Sequence, residues 1–132
     1  MKSLRDLDLF ADCTREELRR AASAMTEVRV EPGQVLLREG GFGDQFIVVA
    51  SGQLRVRRAD VGTVAVLGAG RFSGEMALLN GTRRSASVAA LTPAVVYVST
   101  PSEFKALMDI PSVAAKVYAA ADQRARINQL AA

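Results

Sequence analysis

One short stretch of the chain combines residue types that could hold an anion. Residues 74–88 read GEMALLNGTRRSASV, in which a glycine and a glutamate precede an apolar run and two arginines follow it. The end of this stretch alternates as a strand does, and the alternation puts Arg84 on the face of the apolar Ala86 and Val88. A guanidinium directed into a protein interior is costly unless an anionic group meets it. The pattern therefore predicts that an anion binds at Arg84.

The residues before Arg84 predict a second side to that site. The segment EMALL favours a single helical turn, and Gly74 in front of it lets the backbone approach a ligand closely. Free amide groups at such a turn attract anions, so amides and a guanidinium together would hold a singly charged phosphate. Glu75 would weaken an anion site unless the ligand also offers a hydroxyl, as a ribose does. From the residues alone, the ligand is a small phosphorylated sugar.

The composition excludes the commonest catalytic chemistry. The 132 residues include no histidine, so the chain cannot build a Ser-His or Cys-His nucleophile system or an imidazole metal site. Paired carboxylates or a lysine base would remain, but neither forms a recognisable cluster. We therefore expect a protein that is not an enzyme, with no catalytic residue, no metal and no cofactor. The net charge of +3 is too small to demand a nucleic-acid partner, and we expect none.

Cysteine use and the N-terminus indicate the compartment. Cys13 is the only cysteine and cannot form an internal disulfide, which is typical of a reducing environment. The first residues, MKSLRDLDLF, carry charges every few positions and lack the apolar run of a signal peptide. No stretch has the length of a membrane span. We expect a cytoplasmic protein.

The spacing of glycines and apolar residues predicts helices on both sides of a β region. All ten glycines lie within residues 33–81. Before them, Thr14 and Glu17 form a capping box that predicts a helix over about 14–25. The short β-branched runs VLLRE, FIVVAS, QLRVRR, TVAVLG and VYVST, without helices between the first four, favour an antiparallel sandwich or barrel.

The end of the chain predicts two more helices. Thr100, Pro101 and Glu103 predict a helix start near 101 and an end near 108, and Pro111 can open a second helix. One side of that helix carries Val113, Val117, Ala120, Ala121, Arg124 and Ile127. Its alanine-rich flank could pack on another element or on a second copy as a homodimer. The pairs Arg57-Arg58 and Arg124-Arg126 are interpreted as solvated, and Tyr118 as a packing residue.

Three quoted segments carry a resemblance to a known family. The string GRFSGEMALLNGTRRSASVAA, residues 70–90 and hereafter the cassette, resembles the phosphate-binding cassette of cyclic-nucleotide-binding domains, found in bacterial catabolite activators, kinase regulatory subunits and gated channels. Residues 31–56, EPGQVLLREGGFGDQFIVVASGQLRV, resemble the first strands of that family, and LDLFADCTREEL resembles its helical lead-in. The resemblance implies a mainly β fold with flanking helices: an antiparallel jelly-roll barrel with a short cassette helix. It further implies one domain over 1–132, in which a helical N-terminal region covers 1–25, the barrel covers 26–100, and hinge and lid helices cover 101–132.

The resemblance also implies a set of ligand-binding residues. Glu75 would accept the ribose hydroxyl, and Arg84 would pair with the cyclic phosphate. The purine would lie against Val56 and Val64, and Asn128 could reach its edge. The full set is Val56, Val64, Gly74, Glu75, Met76, Ala77, Arg84, Ser85 and Asn128.

Three positions depart from the family's common pattern. Ser73 stands where many relatives carry a large apolar residue, and Arg83 replaces a common proline, which predicts a less rigid loop. Ser85 occupies a position that is alanine in many cyclic AMP binders and threonine in many cyclic GMP binders. Serine there also resembles bacterial cyclic AMP activators, so cyclic AMP is the favoured ligand and cyclic GMP the second.

These features predict a non-enzymatic regulatory module. It would bind a cyclic nucleotide, draw in the final helix as a lid, and relay that movement to an effector domain or a separate protein. The alternative is an interaction or dimerisation module that kept the fold and lost the ligand. At the level of the two key residues, the alternative is an internal ion pair in which Arg84 only neutralises Glu75.

Overall fold

The computed structural model describes residues 4–131, with side chains described as far as residue 126. Two 3₁₀ turns, Leu4–Asp6 and Asp8–Phe10, precede helix α1. Within residues 4–131 the α-helices are α1 (Arg15–Ser23), α2 (Glu75–Asn80), α3 (Pro101–Met108) and α4 (Pro111–Ala131). The eight strands of the described residues are β1 (Thr26–Val30), β2 (Val35–Leu37), β3 (Phe46–Ser51), β4 (Leu54–Arg58), β5 (Gly62–Leu67), β6 (Phe72–Ser73), β7 (Ser87–Ala90) and β8 (Ala94–Ser99).

The strands form two antiparallel sheets of four. One has the order β1-β8-β3-β6 and the other the order β2-β7-β4-β5, so most neighbours in space are distant in sequence. Alternate side chains from both sheets form a shared core of Val30, Leu37, Ile47, Val49, Leu54, Leu67, Val88, Ala90, Ala94 and Val96. The predicted mainly β, jelly-roll-like architecture is confirmed, as two facing sheets rather than a closed barrel.

Strand β3 is buried on both faces and joins two cores. Ile47 and Val49 point into the core between the sheets, whereas Phe46 and Val48 point toward the helices. The Phe46 ring lies 5.6 Å from the ring of Phe72 and 4.9 Å from that of Phe104, measured between centroids. The second core, here called the outer core, lies between β3 and the helices and includes Phe46, Val48, Phe104, Leu107, Ile110, Val113 and Val117. Through Phe104 and Phe72 it fixes helix α3 and the start of the cassette to the same strand.

The helices begin where their capping residues predict. Thr14 and Glu17 form a complete capping box at α1, and Thr100 and Glu103 form another at α3. Each box satisfies backbone N–H groups that have no partner within the helix. The predicted helix positions near the two ends of the chain are confirmed.

Helix α4 is held firmly at its beginning. Val113 and Val117 are fully buried against the outer core. Between them Lys116 donates to the Asp8 carbonyl, and its Nζ lies 3.2 Å from Asp12 Oδ2. Tyr118 is 57% exposed, so the expectation that it packs in the core is wrong, because the next position along a helix turns away from the buried face. Over the residues that the structure describes, no helix is both long and apolar enough to cross a membrane.

Candidate functional site

The short helix of the cassette, α2, begins at a position that only glycine fits. Gly74 is the N-cap of α2 and has a left-handed φ of +98°. A Cβ atom there would lie 2.5 Å from the Gln45 carbonyl oxygen and 3.1 Å from Arg84 Nη1. Gly74 therefore lets the backbone at Gln45, just before β3, and the guanidinium of Arg84 meet at the start of α2.

Arg84 is buried, as the strand alternation predicts, and its partners are two backbone carbonyls and one solvent-exposed acid. Its side chain is 4% exposed, and Nη2 donates to the Gln45 carbonyl at 2.6 Å and Nη1 to the Gly74 carbonyl at 3.5 Å. The acid in range is Asp44, 3.7 Å away and 77% exposed. Burial lowers the pKa of Arg84, whereas the carboxylates of Asp44 and Glu75 raise it. A buried cation held by neutral carbonyls and one solvated acid is ready to accept an anion.

Glu75, the first residue of α2, is fully buried and only half satisfied. Its Oε1 accepts a hydrogen bond from Arg124 Nη1, whereas its Oε2 is buried without a hydrogen-bond partner. Burial raises the pKa of Glu75 above the usual 4.5, although Arg124, its own backbone N–H and Arg84 lower it. The ion pair of this carboxylate is formed with α4 and not with Arg84, so the arrangement in which Arg84 only neutralises Glu75 is not what the structure contains.

The sequence interpretation missed Arg124, as well as Asp44 and Gln45, which contact Arg84. Besides contacting Glu75, the guanidinium of Arg124 donates through Nη2 to the Phe72 carbonyl at 2.7 Å and lies 5.4 Å from the centre of the Phe72 ring. Its side chain is 29% exposed, so its interpretation as a solvated residue is wrong. Arg126 is 76% exposed and pairs with Asp122 of the same helix, as expected for a solvated arginine. The available signal was the helical spacing, which puts Arg124 on the side of the buried valines of α4.

The loop before β3 lies directly against the cassette. A Cβ atom at Gly43 would be 2.6 Å from the Cβ of Ala77, so this loop touches α2 closely. Arg83 donates to the Gly40 carbonyl at 2.8 Å, and its guanidinium stands 4.5 Å from the centre of the Phe42 ring. Arg83, which stands where many relatives have proline, therefore connects the loop after α2 with the loop before β3.

The remaining expected residues divide between the cassette and the sheet. Met76 is half-buried, Ala77 is buried and Ser85 is exposed. Val56 packs partly against the core between the sheets, whereas Val64 is 47% exposed at a register irregularity between β4 and β5. Asn128 falls within α4, but its side chain lies outside the described residues. The structure thus brings Gly74, Glu75, Met76, Ala77 and Arg84 together and leaves Val64 away from the buried core.

Comparisons with known proteins converge on one family. A family model described as "Cyclic nucleotide-binding domain" matches residues 27–110. The chain is 36% identical over 106 residues to a cAMP-dependent protein kinase regulatory subunit from Yarrowia lipolytica, covering 80% of this chain and 28% of the relative. It is also 36% identical over 98 residues to the cGMP-dependent protein kinase egl-4 of Caenorhabditis briggsae, covering 74% of this chain and 13% of that one.

A solved structure agrees with these relatives. The catabolite activator protein of Thermus thermophilus superposes with a TM-score of 0.79 at 31% identity, covering 92% of this chain and 60% of that chain. The matched region spans less than a third of the length of either curated kinase relative.

Proposed function

The chain belongs to the cyclic nucleotide-binding domain family, and on that premise we propose that it is a regulatory module that binds a cyclic nucleotide at the cassette, cyclic AMP in preference to cyclic GMP. The preference rests on Ser85, because the relatives include kinases named for each nucleotide.

The observation that carries this proposal is the state of Arg84. Its guanidinium is almost wholly withdrawn from water, yet its hydrogen-bond partners are the carbonyls of Gln45 and Gly74, and the acid in range, Asp44, is 3.7 Å away and 77% exposed. Carbonyls satisfy the hydrogen-bond donors of a guanidinium but bring no opposite charge. A cyclic phosphate carries one negative charge and would supply it, with strengthened hydrogen bonds at a buried position.

The partly satisfied Glu75 supports the second half of the ligand. A buried carboxylate oxygen without a hydrogen-bond partner is uncommon in folded proteins, and Oε2 of Glu75 could accept a hydrogen bond from a ligand. A ribose 2′-hydroxyl is a donor of the right kind, and Glu75 and Arg84 lie near enough for their charges to influence one another. Met76, Ala77 and Ser85 would line the phosphate end, whereas Val56, Val64 and Asn128 are proposed for the purine.

The proposed output is a change in α4, which reaches the site through Arg124. An effector domain or a separate protein would read that change, and a homodimer through the alanine-rich flank of α4 is a further proposal. The proposed function involves neither catalysis nor direct binding of nucleic acid.

Isothermal titration of the ligand-free protein tests the proposal. Cyclic AMP should give a saturable signal in the micromolar range and cyclic GMP a weaker one. The acyclic 5′-AMP, whose phosphate carries more charge, serves as the control and should bind more weakly than either. A flat trace with both cyclic nucleotides would favour the interaction module that does not bind nucleotide.

A further inference from the structure

The outer face of the β2-β7-β4-β5 sheet carries two arginines without an acidic partner. Arg55 and Arg57 alternate along β4 with Leu54 and Val56, which pack in or against the core between the sheets, so both arginines point away from that core. Arg55 is half-buried and Arg57 is exposed. Within residues 4–126, whose side chains the structure describes, neither arginine forms an ion pair or a side-chain hydrogen bond. Alternate positions of a strand lie about 7 Å apart, so this face presents two unpaired positive charges at that spacing.

The strands beside β4 place uncharged side chains opposite both arginines. An acid at a facing position would stabilise the sheet, and β7 and β5 provide none. The four facing residues are Ala89 and Ser87 on β7 and Val66 and Thr63 on β5. Val66 is 49% exposed, and Val35, which faces Ala89 from β2, is 39% exposed. The arginines therefore stand among small and apolar residues, a surface that suits an acidic partner with apolar side chains.

A groove of about 460 Å³ lies over β7 on this face. Its lining includes Val35, Glu39, Arg55, Arg57, Ser87 and Ala89. Because β7 lies between β2 and β4 and contributes the short side chains, the two arginines border one side of the groove and Val35 the other. Glu39 is held at the backbone, since its Oε1 accepts a hydrogen bond from the Ala59 N–H at 3.0 Å and its own N–H donates to Ser87 Oγ at 2.8 Å. The groove thus has a cationic side, an apolar side and an acid at its Ser87 end.

We propose that this groove, hereafter the β7 groove, is a docking surface for an extended acidic segment of a partner protein in which acidic and apolar residues alternate. In an extended segment that runs along β4, every second side chain points to the same side, at the spacing of Arg55 and Arg57. Its carboxylates would form charge-assisted hydrogen bonds with the two guanidinium groups, and the residues between them would contact Val35. The lining does not include Gly74, Glu75 or Arg84, so this inference goes beyond the proposed function and does not depend on nucleotide binding.

The remaining lining residues favour a protein segment over a nucleic acid. A nucleic-acid backbone carries a negative charge at every nucleotide, so its charges are not confined to one side of the groove. Those beyond the two arginines would meet Glu39, and Val35 would gain no apolar contact. An alternating segment avoids both problems, because its acids all face the arginine side.

Fluorescence anisotropy with labelled, terminally blocked peptides tests the proposal on the full chain without nucleotide. The probe is Gly-Glu-Val-Glu-Val-Glu-Val-Gly, which should bind with a dissociation constant below about 1 mM. The same peptide with lysine in place of glutamate should not bind, and with serine in place of valine it should bind about two- to fivefold more weakly. Val35→Ser should remove most of the difference between the valine and serine peptides, since it removes the apolar side of the groove.

Two matched double substitutions test the role of the arginines. Arg55→Gln combined with Arg57→Gln should weaken binding of the acidic peptide about 3- to 30-fold, as expected for the loss of two partly exposed ion pairs. Arg19→Gln combined with Arg20→Gln removes the same charge from exposed positions of α1 and should leave the dissociation constant within about twofold of wild type. Circular dichroism melting checks that both variants are folded.

Proton–nitrogen NMR spectra locate the peptide, and each outcome decides the proposal. The acidic peptide should shift the amide signals of Arg57, Ser87 and Ala89 most. Absence of binding at about 1 mM, equal weakening by both double substitutions, or shifts confined to other elements overturns the proposal. Tighter binding of a tetrathymidylate, which carries the same charge as the peptide, with shifts of the same amides would assign the groove to nucleic acid and overturn the protein segment. Titration with cyclic AMP is a separate measurement, and its failure overturns the proposed function alone.

Discussion

Replacement of Arg84 by alanine should remove nucleotide binding and keep the fold. The guanidinium is 4% exposed, so its contact with a phosphate would form largely out of water. Truncating one member of a buried, hydrogen-bonded charge pair costs about 2–5 kcal/mol of binding free energy. That range corresponds to a dissociation constant about 30- to 5,000-fold higher.

The same structure predicts a small effect of this substitution on stability. Alanine leaves the Gln45 and Gly74 carbonyls without their guanidinium donor, at a cost of about 1 kcal/mol each. It also removes a buried cation whose pKa burial lowers, and that removal is favourable. The two effects oppose each other, so the free energy of unfolding should change by less than about 2 kcal/mol.

Titration calorimetry with cyclic AMP and urea unfolding of the ligand-free proteins measure the two quantities. Arg83→Ala is the control, because it removes an adjacent, exposed arginine whose contacts lie on the loop before β3. It should leave the dissociation constant within about threefold of wild type. An Arg84→Ala protein that fails to fold, beside a wild type that ignores nucleotides, would refute the reasoning, since Arg84 would then be a structural residue.

Three further substitutions follow from the site and its supports. Glu75→Gln should stabilise the ligand-free protein at about pH 7 but not at about pH 4. Because the pKa of Glu75 is raised in the folded state, the wild type loses stability as the pH rises above 4.5, and glutamine does not ionise. A difference in urea unfolding that does not change with pH would contradict this. Gly74→Ala should cost about 1–3 kcal/mol of stability and weaken cyclic AMP binding, measured by unfolding and titration, since its Cβ would meet the Gln45 carbonyl at a positive φ. Thr100→Ala should lower the free energy of unfolding by about 1 kcal/mol through loss of the α3 capping box, with nucleotide affinity unchanged.

Local signals in the sequence predicted the helices and the direction of Arg84. A capping box involves residues three positions apart, so Thr14 and Thr100 could be identified as helix starts from the sequence alone. The inward direction of Arg84 followed from alternation with its apolar neighbours, and its burial agrees. These features depend on a few adjacent residues and not on the rest of the fold.

Pairings between distant residues could not be predicted in the same way. Strand β1 pairs with β8, at the other end of the β region. No residue in either strand identifies the other strand as its pairing partner. Arg124 was placed on the correct side of its helix, but its charge was interpreted with that of Arg126 as solvated. Its partner Glu75 reaches it only because α2 packs against α4 in the folded chain.

The attachments of α4 differ in kind along its length. Detaching its first turns would expose the buried Val113 and Val117, at about 1.5–3 kcal/mol for each side chain, whereas the turn around Arg124 is held mainly by polar contacts at the edge of the solvent. A signal that begins at the cassette would therefore bend or fray the last turns of α4, while its first turns stay packed in place. On the proposed function, a protein that reads this signal would therefore have to contact the last turns of α4 and not its first ones.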